Sequence, residues 1–291
     1  MREEQSKKWR GSGCLFLASL IWGMAFVAQR AGMDHLGPFA FNAIRNLLGS
    51  LVLLPCIFLL KKIRKDTSGK TDRKLLLQGG LVCGFFLAIA SNLQQIGIKY
   101  TSVGKAGFIT ALYIVLVPVL GIFIHRKAGR RVWLSVVLAV AGLYLLCMTE
   151  RLQIGRGDRY VLLCALAFAF QILAVDHFAG LVDGVKLACL EFLVCGLLSL
   201  IPMALTETPT WQQVWGARYP LLFAGCLSSG IAYTLQILGQ RDLPPAVASL
   251  IMSFESVISV LAGWLFLHQT LSLRELIGCG IMFAAVILAQ L

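Results

Sequence analysis

Apolar residues in this chain neither alternate nor confine themselves to one narrow stripe. They come in long uninterrupted runs separated by short polar punctuation. A run of about 20 such residues, rising 1.5 Å each as a helix, matches the roughly 30 Å hydrocarbon core of a bilayer. Ten runs meet that criterion, over 11–30, 38–60, 75–98, 103–124, 132–149, 159–178, 185–205, 218–239, 244–267 and 272–290. Their connections are short, which predicts a compact helical bundle. The run that follows MREEQSKKWR is longer than the apolar core of a signal peptide and reads as an uncleaved first transmembrane helix. Between the seventh and eighth runs, TPTWQQVW sets Trp211 and Trp215 one helical turn apart, predicting a short helix in the interfacial aromatic belt.

Composition agrees with this pattern. The 291 residues are 58% hydrophobic and 14% charged, with a mean hydropathy of +0.81. A soluble domain carries about 25% charge, and no polar stretch is long enough for a separate soluble domain. The net charge of +12 resides in loops such as KKIRKDTSGKTDRK and HRKAGRR. Bases in short loops between apolar spans are topology signals rather than a nucleic-acid surface, so no nucleic-acid partner is expected. With MREEQSKKWR, Lys186 and Arg241, they fall on one side, which predicts that both termini are cytoplasmic. The segment KKIRKDTSGKTDRK shows no apolar periodicity and reads as a flexible loop beside anionic lipid. The nine cysteines form no CxxC pair and read as small buried hydrophobes. No metal, cofactor or catalytic group is expected. Walker-type GxxxxGK[ST] and HExxH motifs are absent.

The chain also repeats itself. IASNLQQIG starts at Ile89 and IAYTLQILG at Ile231, 142 positions later. The same offset pairs Gln94 with Gln236, Gly97 with Gly239 and Gly121 with Gly263. RNLLGSLVLLP and FLVCGLLSLIP pair Gly49 with Gly196 and Pro55 with Pro202. Two five-span halves, 1–150 and 151–291, are therefore expected. A half with an odd number of spans re-enters the membrane inverted, so duplication predicts two inverted-topology repeats, an architecture of secondary transporters.

NLQQIGIKYTSVGKAGFITALYIVLVPVLG, followed by GRRVWLSVVLAVAGLYLL, resembles the EamA-type transporters of the drug/metabolite transporter superfamily. So do LIWGMAFVAQRAG and FESVISVLAGWLFLHQTLSLRELIGCGIM. One departure is that Ser256, rather than proline, follows Glu255. The resemblance implies a ten-helix carrier in a bacterial cytoplasmic (inner) membrane, with a central cavity lined by helices 1, 3, 4, 6, 8 and 9.

Ionisable and amide groups within the spans mark candidate sites, because a charge at the bilayer centre costs about 2.5–3.5 kcal/mol on insertion scales. Glu255 shares a stripe with Ser259 and Gly263, beside Met252 and Ser256. It reads either as a cavity wall meeting a cation, a substrate amine or a proton, or as a carboxylate tied to a neighbouring helix. Tyr113 is its partner at the repeat offset, so both should point toward the central axis or both away. In span three, Asn92 and Gln95 share one face and Ser91 and Gln94 another. Asn92 and Gln95 are expected in the cavity, with Gln94 and Gln236 as matched structural or pore residues. Trp22, Phe168, Gln171 and Tyr233 are further cavity candidates. Arg45 and Glu191 lie in the more peripheral spans two and seven; Arg45 is expected to snorkel or to pair with a carboxylate, and an Arg45–Glu191 bridge stays open. Asp176 and His177 close span six, pointing about 100° apart. Pro118 removes a bond to the carbonyl of Ile114 and is a candidate gating kink. Gly80 and Gly84 permit close helix packing.

The expected function is secondary transport, an efflux of a small metabolite or amphipathic compound by alternating access within a lipid bilayer. A channel without alternating access and an intramembrane lipid-modifying enzyme are the alternatives. Oligomeric state is left open.

Overall fold

The computed structural model describes residues 2–63, 72–101, 103–125, 128–147, 155–267 and 272–290. Residues 64–71 of the basic segment KKIRKDTSGKTDRK lie outside them. Each of the ten expected spans has a helical counterpart, and the described residues contain no strand. These are α1 (Arg2–Gly32), α2 (Pro38–Ile63), α3 (Arg73–Tyr100), a two-piece α4 (Val103–Ala111 and Tyr113–Phe123) and α5 (Arg130–Cys147). The second half supplies α6 (Arg156–Ala179), α7 (Gly184–Thr206), a three-piece α8 (Arg218–Leu222, Phe223–Ala232 and Tyr233–Gln240), a two-piece α9 (Pro245–Met252 and Glu255–Leu267) and α10 (Leu273–Gln290). Eight described segments, all but α5 and α10, are long and apolar enough to cross a membrane by length and composition. Trp211–Gly216 forms the expected short helix before α8.

Helix starts follow local chemistry. Asp72 and Asp183 cap α3 and α7, their carboxylates accepting from backbone N–H groups at 2.9 Å (Lys74) and 3.1 Å (Val185). The start of α2 is capped from a distance: Glu207, just past α7, accepts from Phe39 N at 3.0 Å and Ala40 N at 2.7 Å.

Two helices break at the same relative place. In α4, Leu112 N donates to Ile109 O at 3.2 Å and Val115 N to Leu112 O at 3.0 Å, a tightened turn. In α9, Phe254 N donates to Ile251 O at 3.2 Å and Ser256 N to Ser253 O at 3.1 Å. Tyr113 and Glu255, 142 positions apart, thus open the second pieces of their helices. Pro118 lies inside the second piece of α4, so the interruption falls nearer the helix start than that proline predicts. The middle piece of α8, Phe223–Ala232, is π-helical. Its small residues face α2 at close range: a Cβ on Gly49 would meet Ser229 Cβ at 2.7 Å, and one on Gly225 would meet Arg45 O at 3.0 Å.

Large apolar side chains such as Phe58, Phe123 and Leu205 cover the outside of the bundle, a surface suited to lipid. Inside, glycines set the closest helix crossings. A Cβ on Gly157 (α6) would stand 2.9 Å from Gly97 O (α3), and one on Gly239 (α8) 2.8 Å from Gly11 O (α1). Gly97 and Gly239 are partners in the repeat, so the same crossing is built twice. Each helix crosses in turn, which puts the Gly11/Gly239 crossing at the end holding the start of α1 and the Gly97/Gly157 crossing at the opposite end.

Candidate substrate cavity

A cavity lies at the centre of the bundle, where the broken helices meet. Helix α1 lines it with Trp22, Phe26 and Gln29, spaced along one face. Gln94 comes from α3, Thr110 and Tyr113 from either side of the α4 break, and Phe168, Gln171 and Ile172 from α6. Helix α8 adds Ser228, Tyr233 and Gln236, and α9 adds Met252 and Glu255. Arg45 of α2 also reaches in, so a seventh helix joins the six expected. The centres of water-sized molecules have about 40 Å³ to occupy. A single water needs about 10–15 Å³ on that measure, so the cavity has room for a few waters and not for a metabolite.

The polar groups include an acidic and a basic side chain. Tyr113 Oη donates to Glu255 Oε1 at 3.1 Å, joining two residues separated by the repeat offset. Equivalent residues of a two-fold repeat can meet in this way only beside its axis. Glu255 also opens a helix piece, where the backbone N–H groups and helix dipole favour a carboxylate. Opposite in charge, Arg45 is 3% exposed and donates from Nε to Asn42 Oδ1 at 2.7 Å. Gln236 Nε2 donates to Gln171 Oε1 at 3.3 Å, and Gln171 Nε2 to Glu191 Oε1 at 2.8 Å. Gln94 Nε2 donates to Thr110 Oγ1 at 3.3 Å. Three buried polar atoms of lining residues have no hydrogen-bond partner: Trp22 Nε1, Gln29 Oε1 and Gln236 Oε1. Buried polar groups are normally paired, so these three atoms retain unused hydrogen-bonding capacity beside the cavity. The cavity therefore offers a guanidinium, a carboxylate, an N–H donor and two amide oxygens. Its aromatic wall is the Trp22–Tyr233 pair, with ring centroids 4.7 Å apart. Among the described residues no group of three His, Cys, Asp or Glu side chains is arranged to hold a metal.

The candidate residues separate into three groups. Trp22, Tyr113, Phe168, Gln171, Tyr233, Gln236 and Glu255 all line the cavity. Asn92 and Gln95, expected there, lie outside the lining, and the other face of α3 supplies Gln94. The reason is competition from neighbouring helices. Asn92 is taken by Asn42 (3.0 Å) and Ser199 (2.8 Å), and Gln95 donates to Gln29 O at 3.3 Å. Arg45 points into the protein instead of snorkelling, and no ion pair joins it to Glu191 among the described residues. Asp176 and Pro118 line a second, larger space, and His177 is exposed with its ring edge-on to Phe178 at 4.8 Å. Gln29, Thr110 and Ser228 are lining residues that the sequence reading did not single out. For Gln29 a signal existed, since it falls on the helical stripe of Trp22 and Phe26.

That second space is a vestibule of about 680 Å³ at the end carrying the start of α1. Val117 and Gln240 line it, each one helical turn beyond a cavity residue, Tyr113 and Gln236. Asp242 lines it too and pairs with Arg10 across 3.4 Å. The opposite end is tied together around Asp158. Its carboxylate accepts from Thr101 Oγ1 at 2.7 Å and Gly155 N at 2.7 Å and pairs with Lys105.

Comparison with known proteins agrees with this architecture. The model of the EamA-like transporter family matches twice, over residues 9–148 and 155–291. An uncharacterized transporter of Archaeoglobus fulgidus is 30% identical over 282 residues, spanning 95% of this chain and 84% of the relative. YoaV of Bacillus subtilis, also named an uncharacterized transporter, is 23% identical across 90% of this chain and 92% of its own length. The threonine/homoserine exporter RhtA of Escherichia coli is 26% identical, covering 84% of this chain and 79% of RhtA. A solved crystal structure shares the fold, with a TM-score of 0.74 at 17% identity over 98% of this chain and 96% of its own.

Proposed function

This chain belongs to the EamA-like transporter family, and from that premise we propose that it exports a small zwitterion of the amino-acid class by alternating access. The observation that carries the substrate class is the pairing of Arg45 and Glu255 in one small buried cavity. A guanidinium matches a carboxylate in charge and in forked donor geometry, and Glu255 with the orphaned amide oxygens of Gln29 and Gln236 suits an ammonium. Neither charge is cheap to hold in a bilayer, and a zwitterion offsets both at once. The name of the relative RhtA points to the same class of solute and to export.

Alternating access is supported by the repeat. The glycine crossings stand at opposite ends of the bundle and the cavity lies between them, so loosening one end while the other stays packed exposes the site to one side at a time. On the positive-inside reading the vestibule faces the cytoplasm and the Asp158 end faces out. An exporter would then load through the vestibule and release past Asp158.

Scintillation-proximity binding of tritiated L-threonine to the purified protein tests the site. We expect saturable binding that weakens at least about tenfold in both Arg45→Gln and Glu255→Gln, the size of one lost charge-assisted hydrogen bond. Undiminished binding in both variants contradicts the assignment.

A further inference from the structure

We propose that Asn92, with Asn42, is a positioning residue that fixes the direction of Arg45 in the cavity; the functional half of this inference rests on the reading of Arg45 as the carboxylate anchor. A chain of side-chain hydrogen bonds leads away from the guanidinium. Arg45 Nε donates to Asn42 Oδ1 at 2.7 Å, Asn42 Nδ2 to Asn92 Oδ1 at 3.0 Å, and Asn92 Nδ2 to Ser199 Oγ and Ala88 O, both at 2.8 Å. Ser199 ends the chain by donating to Cys195 O at 2.8 Å. Three helices, α2, α3 and α7, are tied together by it.

The direction of this chain follows from its end. Arginine can only donate, so the Asn42 amide must turn its oxygen to Arg45 and its nitrogen to α3. That nitrogen needs an acceptor, which obliges Asn92 to present its own oxygen. The nitrogen of Asn92 then finds two acceptors, a helix carbonyl and a hydroxyl. Each link pairs a donor with an acceptor, and flipping either amide would set donor against donor. An unbranched arginine side chain has many rotamers, and this arrangement selects one by holding Nε while the terminal nitrogens remain for the cavity. It also explains why Asn92 lies on the face of α3 that misses the cavity.

The test uses two isosteric replacements in the full-length protein. Asn92→Asp keeps an oxygen facing Asn42; Asn92→Leu removes it and leaves the Asn42 side chain held from the Arg45 side alone. The first readout needs no substrate. In protein labelled with [15N]arginine, the Nε–H signal lost on Arg45→Lys belongs to Arg45, and its hydrogen exchange reports the bond to Asn42. Exchange should rise about tenfold or more in Asn92→Leu and stay within about threefold of wild type in Asn92→Asp, since one buried hydrogen bond is in question. Unchanged exchange in a monodisperse Asn92→Leu protein, or equal acceleration in both variants, overturns the proposal. The second readout is competition against tritiated L-threonine by unlabelled L-threonine and by 1-amino-2-propanol, which lacks the carboxylate. Asn92→Leu should weaken competition by the amino acid and leave that by the amine unchanged; parallel weakening of both overturns the positioning role. If the wild type binds no L-threonine while the exchange result holds, the substrate reading fails and the positioning of Arg45 stands.

Discussion

Asp158 makes the most quantitative demand on the account. Its carboxylate is 3% exposed and takes three interactions at the end opposite the vestibule. One of these, from Gly155 N, caps α6 itself and persists whichever way the bundle opens; its loss costs about 1 kcal/mol of helix stability. The other two, from Thr101 Oγ1 and Lys105, tie α6 to the α3–α4 corner, and on the proposed alternating-access cycle opening that end would break them. Charge-assisted hydrogen bonds contribute about 1.5–3 kcal/mol each when buried, and the Lys105 side chain retains 19% exposure, which reduces its share. Together they favour closure by about 2–3 kcal/mol, so Asp158→Ala should shift the closed-to-open ratio by about 30- to 150-fold. Asp158→Asn keeps an acceptor for Thr101 but loses the charge, and should shift it about five- to tenfold. The assay places a cysteine at Thr110, in the cavity lining, on a background without the native cysteines, and measures labelling by a membrane-impermeant maleimide from the Asp158 side. Rates should rise in the order wild type, Asp158→Asn, Asp158→Ala. If both variants label at the wild-type rate, with their thermal stability lowered only by the capping term, Asp158 does not hold that end shut.

Three further outcomes follow from the geometry. Tyr113→Phe deletes the hydroxyl that holds Glu255 and should raise the half-saturating L-threonine concentration about three- to tenfold with melting temperature nearly unchanged, as read by binding and thermal unfolding. Glu207→Ala leaves the N–H groups of Phe39 and Ala40 uncapped and should cost about 1–2 kcal/mol by thermal unfolding, without a change in substrate affinity, because Glu207 does not line the cavity. Gly157→Leu and Gly239→Leu each force a side chain into a backbone contact, at about 1–3 kcal/mol of overpacking in the closed form of that end. They should therefore drive cavity labelling in opposite senses, Gly157→Leu increasing it from the Asp158 side and Gly239→Leu from the vestibule side.

The spans were legible because lipid imposes one requirement on every exposed turn, and apolar runs of sufficient length meet it in only one way. The repeat was legible for a related reason: Gln94 and Gln236 kept both identity and spacing across the duplication. The cavity face of α3 was not. Helical periodicity separates Asn92 and Gln95 from Gln94, yet the choice between faces depends on Asn42 and Ser199, acceptors and donors on other helices. The partner of Arg45 was not legible for the same reason: neither a headgroup nor a carboxylate but Asn42, one turn before it on α2 and itself held from α3. The breaks at Leu112 and Phe254 carry no proline, so the sequence showed α4 and α9 as continuous apolar runs. Asp158 escaped notice because it sits at the end of a span, where a charge costs little and attracts no suspicion.

The central claim, a carrier whose cavity selects a zwitterion and opens to one side at a time, meets its most direct test in counterflow. Proteoliposomes preloaded with unlabelled L-threonine are diluted into a trace of tritiated L-threonine. A saturable overshoot of label is expected, stimulated by trans amino acid and lost in Arg45→Gln and Glu255→Gln. Non-saturable accumulation without trans-stimulation, or an overshoot that survives both substitutions, would contradict it.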